Sequence, residues 1–219
     1  MDKTLKQSLQ IFATKARMGV LEGVYNAKAG HPGGSLSICD VLSYLYNVEM
    51  HVDPKNPKDP GRDRLVLSKG HAAPALYATL ALKGYFPVED LKTLRKSDSY
   101  LQGHPNMDKV PGIDMSTGSL GQGISVAVGM ALGGKLDKAD YRVYAILGDG
   151  EIEEGQVWEA AMLAGNKGLD NLVAIVDNNN LQIDGTMEEV NSPYPIPDKF
   201  RAFNWNTVEI DGHDFDRIE

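Results

Sequence analysis

A lone cysteine, Cys39, in a chain of 219 residues excludes an internal disulfide. It falls within an apolar helical pattern, which reads as a buried, inert thiol rather than a nucleophile. Long apolar runs are missing as well. A membrane-spanning helix needs roughly twenty such residues, and the stretch 124–132 is shorter and is followed by glycines. The opening Met1-Asp2-Lys3-Thr4 has no apolar run of the signal-peptide kind. There is no basic excess: the net charge is −8, and the lysines are scattered rather than interleaved with aromatics, which argues against a nucleic-acid partner. Internal repeats and low-complexity tracts are absent from the sequence too. What is left is an ordinary soluble composition, long enough for one substantial core, for which a cytoplasmic location is expected.

The organisation follows from periodicity. Leu5, Leu9, Phe12, Ala16, Val20 and Val24 mark one face of a long first helix, with Gly30 as its expected end. Ser35 is placed to cap a second helix running to about Tyr46. A Pro- and Asp-rich loop over 53–62 leads to a short strand at 64–67, then helices over 73–83 and 88–96. Residues 97–119 form a long loop, of the length that is usually functional or disordered. A helix over 121–135 is crowded with Gly and Ala. The stretch 191–199 reads as a Pro-rich loop and 206–210 as a last strand. Asp214 could cap a further helix, but so short a helix does not hold in isolation. Alternating strands and helices imply one α/β domain over 1–219, a mainly parallel sheet sandwiched between helices, whose C-terminus could be a truncation.

The chemistry concentrates around Gly148-Asp149-Gly150 and Asn178-Asn179-Asn180. Each follows an apolar run, Val143 to Leu147 and Leu172 to Val176, and a helical pattern over 153–168 lies between them. Strand, Gly turn, helix and strand make one parallel βαβ unit. Its crossover brings both strand ends to the same sheet edge, where α/β folds bind ligands. A carboxylate and an amide oxygen are hard ligands, suited to Mg²⁺ or Ca²⁺ rather than zinc. Glycines 148 and 150 let a diphosphate approach the backbone, and the following helix offers free N–H groups. Three of the five histidines, His31, His71 and His104, also sit beside glycine in loops, which favours a ligand-facing role. His51 and His213 lack that setting and read as surface or structural.

These motifs resemble the thiamine-diphosphate signature. Ala29-Gly30-His31-Pro32-Gly33, Leu67-Ser68-Lys69-Gly70-His71-Ala72, Gly103-His104-Pro105, the run from Thr117 to Gly123, Glu153-Glu154-Gly155 and the run from Leu181 to Gly185 resemble transketolase, in the same order. The related deoxyxylulose-phosphate synthases look different around Lys69-Gly70-His71 and Leu120-Gly121-Gln122. The resemblance implies a thiamine-diphosphate-binding fold and a role for each matching position. Asp149, Asn179 and the backbone carbonyl of Leu181 would ligate the divalent metal. His71 and the Gly150 N–H would contact the diphosphate, close to Gly148. Gly118, Leu120 and Ile183 would line the cofactor's rings. His31 and His104 would face the donor sugar, and Glu154 would lie at a subunit interface. The helix-end position of Glu154 is also where acidic residues are favoured anyway.

The family's pyrimidine-binding domain has no counterpart in this chain, nor do most of the arginines that hold the sugar phosphate. The resemblance therefore implies the N-terminal subunit of a split transketolase, transferring a two-carbon ketol unit from a ketose phosphate to an aldose phosphate. Its partner would be a C-terminal subunit carrying the pyrimidine-binding domain, in a hetero-oligomer with cofactor sites where subunits meet. A fragment of a longer enzyme, another thiamine-diphosphate enzyme and a non-catalytic cofactor-binding module are the alternatives.

Overall fold

The computed structural model describes residues 1–182 and 184–219. At its centre, β1 (Arg64–Leu67), β2 (Val143–Gly148) and β3 (Leu172–Asp177) form a parallel sheet in that order. The register pairs Leu67 with Ile146 and Gly148 with Asp177, so the strands end together at one edge. Every residue of β2 is buried, as expected of the middle strand of a parallel sheet covered on both faces. Successive side chains alternate between two cores. Leu65, Leu67, Tyr144 and Ile146 pack with α1 (Lys3–Ala27), α3 (Cys39–Tyr44) and α4 (Ala73–Lys83). Val66, Val143, Ala145 and Leu147 pack with α5 (Gln122–Asp137), α6 (Gly155–Lys167) and α8 (Ile196–Ala202). Each such aliphatic burial stabilises the layer by about 1.5–3 kcal/mol. This is the expected α/β sandwich.

The first helix is capped by the Asp2 side chain, which accepts from the Leu5 N–H at 3.1 Å. It ends at Lys28 in the left-handed region (φ 53°), two residues before the expected Gly30. The next helical stretch is broken in two. It starts as α2 (Pro32–Ser37), with His31 at the cap position and proline presetting the first turn. Ser35 is no cap: its hydroxyl donates back to the His31 carbonyl at 2.8 Å. After α3 the chain leaves through a π-turn at Leu45–Glu49. The expected helix over 88–96 is only a 3₁₀ turn, Val88–Thr93, because Arg95 takes a positive φ of 63° that an α-helix cannot absorb.

Two further expectations are corrected. The stretch 191–199 is not all loop, since α8 begins at Ile196, where Ile196 and Phe200 at helical spacing pack into the second core, Phe200 against Trp158 and Trp205. Among the described residues the stretch 206–210 pairs with no other strand. Without a ladder, its β-favouring Thr207, Val208 and Ile210 do not make a strand. The short last helix, α9 (Phe215–Ile218), holds through tertiary contacts. Its Phe215 is buried with Leu9, Ala13 and Tyr44, and Asp214 caps it by accepting from the Asp216 N–H at 3.0 Å. Between α6 and α8, β4 (Leu181–Gln182) and β5 (Gly185–Thr186) make a small antiparallel pair, followed by α7 (Met187–Val190). No helix among the described residues is long and apolar enough to cross a membrane.

Candidate functional site at the strand ends

Asp149 immediately follows β2 and Asp177 closes β3, and the Asp149 N–H donates to the Asp177 carbonyl at 3.2 Å. Asp149 is 2% exposed. Its carboxylate accepts from the Gly150 N–H at 3.0 Å and the Asn180 N–H at 2.7 Å. Among the described residues no cationic side chain pairs with it. Burial pushes its pKa above the usual carboxylate value, the two backbone donors oppose that, and nearby Asp177 adds to it. A buried carboxylate with open lone pairs and no counter-charge is a site that a divalent cation completes. The Asn179 amide oxygen lies on the same loop and accepts from the Leu181 N–H at 3.0 Å, so the donor set is hard oxygen throughout. Tyr194 closes the outside of this loop, its hydroxyl donating to the Asn178 amide oxygen at 2.8 Å.

Among the described residues no neighbour demands glycine at 148 or 150. A Cβ built there would lie 3.6 Å from Lys69 and 3.4 Å from Gln182, ordinary distances. The reading that these glycines clear room for a ligand keeps its force for that reason. The Gly150 N–H, however, already points to the Asp149 carboxylate, so a phosphate would have to share it. Ile183 lies outside the described residues.

The three loop histidines are drawn together. His71 sits in the 3₁₀ turn Gly70–Ala72, and its ring centroid is 5.3 Å from that of His31. Burial, then the charges of Lys69, His31 and His104, lower the His71 pKa to about 4, so the ring is neutral near pH 7. Burial and Arg95 lower that of His104 as well. His104 is fixed from behind by Tyr77, whose hydroxyl donates to its carbonyl at 2.9 Å. The loop carrying Gly118 closes over this cluster. A Cβ on Gly118, at φ 145°, would stand 2.9 Å from the His104 ring, and one on Gly70 would stand 2.7 Å from the Gly118 nitrogen. Only glycine permits that approach. Leu120 is exposed beside it. Glu154 is exposed at the start of α6, against Gly121. His51 and His213 stay at the surface on structural contacts with Asp63 and Asp40. Cys39 is fully buried, its thiol pushed up to about 12, which bears out an inert role.

Sequence reasoning missed three residues that hold the site in shape. Glu151, 2% exposed, accepts from the Ser68 hydroxyl, from the Gly121 N–H at 3.0 Å and from the Gly148 N–H at 3.1 Å. It thereby ties the ends of β1 and β2 to the start of α5. Lys69, 1% exposed, donates to Asp177 at 2.5 Å and to the Gly34 carbonyl at 2.8 Å. Asp177 also accepts from the Ser37 hydroxyl at 2.7 Å. The available signal was a charged residue at the end of an apolar strand, which a surface turn explains equally well.

The cavity lined by Lys135, Tyr141, Arg142 and Asn171 lies at the opposite, N-terminal end of the strands. Residues 9–219 match the family model described as the transketolase, thiamine diphosphate binding domain. The chain is 55% identical over 210 residues to a 6-deoxy-6-sulfo-D-fructose transketolase subunit of Clostridium sp. (strain MSTE9), covering 96% of this chain and 76% of that protein. It is 49% identical to an apulose-4-phosphate transketolase subunit of Phocaeicola vulgatus, covering 97% and 75%. Among solved structures, transketolase from Campylobacter jejuni superposes with a TM-score of 0.92 at 36% identity, over 100% of this chain and 35% of that one.

Proposed function

The chain belongs to the transketolase thiamine diphosphate-binding family, and from that premise we propose that it is the N-terminal, cofactor-binding subunit of a split, thiamine-diphosphate-dependent transketolase. The observation that carries this reading is Asp149, a buried carboxylate that no cationic side chain pairs with among the described residues, which accepts from the N–H of Asn180, the neighbour of Asn179. Two relatives named as transketolase subunits share about three quarters of their length with it, whereas the Campylobacter transketolase shares 35%. The complementary half of the enzyme is proposed to come from a partner subunit bearing the pyrimidine-binding domain, with the whole of 1–219 serving as one diphosphate-binding domain.

In this reading Asp149, the Asn179 amide oxygen and the Leu181 carbonyl hold Mg²⁺, with Ca²⁺ chemically acceptable. When bound, thiamine diphosphate supplies the nucleophilic carbon for cleaving and re-forming the carbon–carbon bond of a ketose. His71, neutral at physiological pH, donates a ring N–H to the diphosphate. Gly118 and Leu120 wall the cofactor's rings, with Ile183 assigned there by resemblance alone. His31 and His104 face the donor's hydroxyls, where ring nitrogens can exchange hydrogen bonds with them. Glu154, exposed where α6 begins, is assigned to the subunit contact. The substrates are proposed to be phosphorylated sugars, or ketoses with another terminal anion such as a sulfonate, and the location cytoplasmic.

The test is native mass spectrometry of the protein purified gently from its source with Mg²⁺ present. The expected result is a complex with a second, different polypeptide and bound thiamine diphosphate. Ketol transfer by the pure chain alone would refute the split-enzyme reading.

A further inference from the structure

We infer that Asp177 is a positioning residue that sets which end of the Asn179 carboxamide faces the metal. This inference rests on the assignment of Asn179 as a metal ligand. A carboxamide has two ends of nearly equal size, and only its oxygen binds a hard cation. Some neighbour must therefore dictate the orientation. Asn179 Nδ2 donates to Asp177 Oδ2 at 3.3 Å, while Oδ1 accepts from the Leu181 N–H at 3.0 Å. Turned over, the amide oxygen would face a carboxylate oxygen and the NH₂ group would face an N–H, losing both bonds.

Asp177 can play this part because its own side chain is held by Ser37 and Lys69. It terminates β3, and α2 grips its side chain through Ser37, at 2.7 Å from Oδ1. Lys69, almost fully buried, bridges Oδ2 to the Gly34 carbonyl of the same helix. With Lys69 and Ser37 donating to it, Asp177 stays an acceptor toward Asn179. The buried pair beneath the strand ends thus has a use beyond packing: it discriminates oxygen from nitrogen one layer above. Residues holding a metal ligand in this way typically contribute 10- to 100-fold to metal affinity.

A swap experiment isolates the effect. Aspartate at 179 presents an oxygen whichever way it turns, so it needs no orienting neighbour. Mn²⁺ binding to the purified complex, with thiamine diphosphate saturating, is followed by electron paramagnetic resonance. It is measured for wild type, Asp177→Asn, Asn179→Asp and the double variant. Asp177→Asn is expected to weaken Mn²⁺ by roughly 10- to 100-fold. The double variant should bind within a few-fold of Asn179→Asp, although it has lost the same Lys69 partner. A double variant as weak as Asp177→Asn, or an Asp177→Asn protein that binds like wild type, overturns the inference. Failure of the ligand assignment looks different: Asn179→Ala would then bind Mn²⁺ as tightly as wild type, whereas a true ligand at 179 makes that variant weak whatever Asp177 does.

Discussion

Replacing Glu151 by alanine removes the acceptor for three buried donors: the Ser68 hydroxyl and the N–H groups of Gly121 and Gly148. Hydrogen bonds to a charged group contribute about 1.5–3 kcal/mol each, and orphaned donors keep their desolvation cost. Against this stands the cost of burying the carboxylate itself, visible in its pKa being raised chiefly by burial. The balance is a net loss of about 3–4 kcal/mol, at the upper end of single-residue effects. With a urea slope of about 3 kcal/mol/M for a chain of this size, the unfolding midpoint should drop by about 1 M. Glu151→Gln keeps one oxygen but turns an NH₂ group toward a donor, so it should lose about 1–3 kcal/mol and fall between wild type and alanine. Urea titration of the three proteins, followed by circular dichroism, measures this order. An alanine variant with an unchanged midpoint and an unchanged slope would show that Glu151 does not clamp β1, β2 and α5 together.

On the proposed assignment, Mg²⁺ with thiamine diphosphate should raise the melting temperature of wild type and Asp149→Asn should abolish that rise; an equal rise in the variant would remove Asp149 from the proposed metal site. His104→Ala in the assembled enzyme should leave cofactor affinity intact and lower turnover by about 10²–10³, as loss of a group acting on the reacting atoms does; unchanged turnover would make it scaffold. Gly70→Ala should destabilise by about 1–3 kcal/mol, because its methyl would meet the Gly118 backbone at 2.7 Å, and calorimetry checks it. The His71 pKa is lowered to about 4, so between its unfolded value of about 6.5 and that figure the unfolded chain binds the extra proton. Ligand-free stability should accordingly fall as pH drops through that window, and His71→Gln should flatten the slope seen in melting curves.

The long helices and the βαβ unit were legible because each rests on a local period: the face of α1, the apolar runs of β2 and β3, the Gly turn between β2 and α6. The meeting of the Asp149 and Asn179 loops was legible for the same reason, since topology alone brings both strand ends to one edge. What escaped depends on distant partners. Nothing near Thr207 or Val208 tells that no strand will pair with them. Ser35 is the exception, since the local signal was there: Pro32, three residues earlier, starts the helix and leaves the Ser35 hydroxyl to bond backward. Glu151 and Asp177 gain meaning only from Ser68 and Lys69, some 83 and 108 positions away. Buried charge networks are long-range in sequence, so periodicity does not announce them.

The close backbone contacts around Gly118 bear on how the protein could be re-engineered. Gly70 abuts the Gly118 backbone, and Gly123 abuts Ser68, whose Cα would be 2.6 Å from an added methyl. These positions are interlocked, so a library that varies them one at a time will return mostly destabilised clones. His31, Leu120 and Glu154 are exposed. A search for altered donor or acceptor preference is best begun at those exposed side chains, with the glycine framework left as it is.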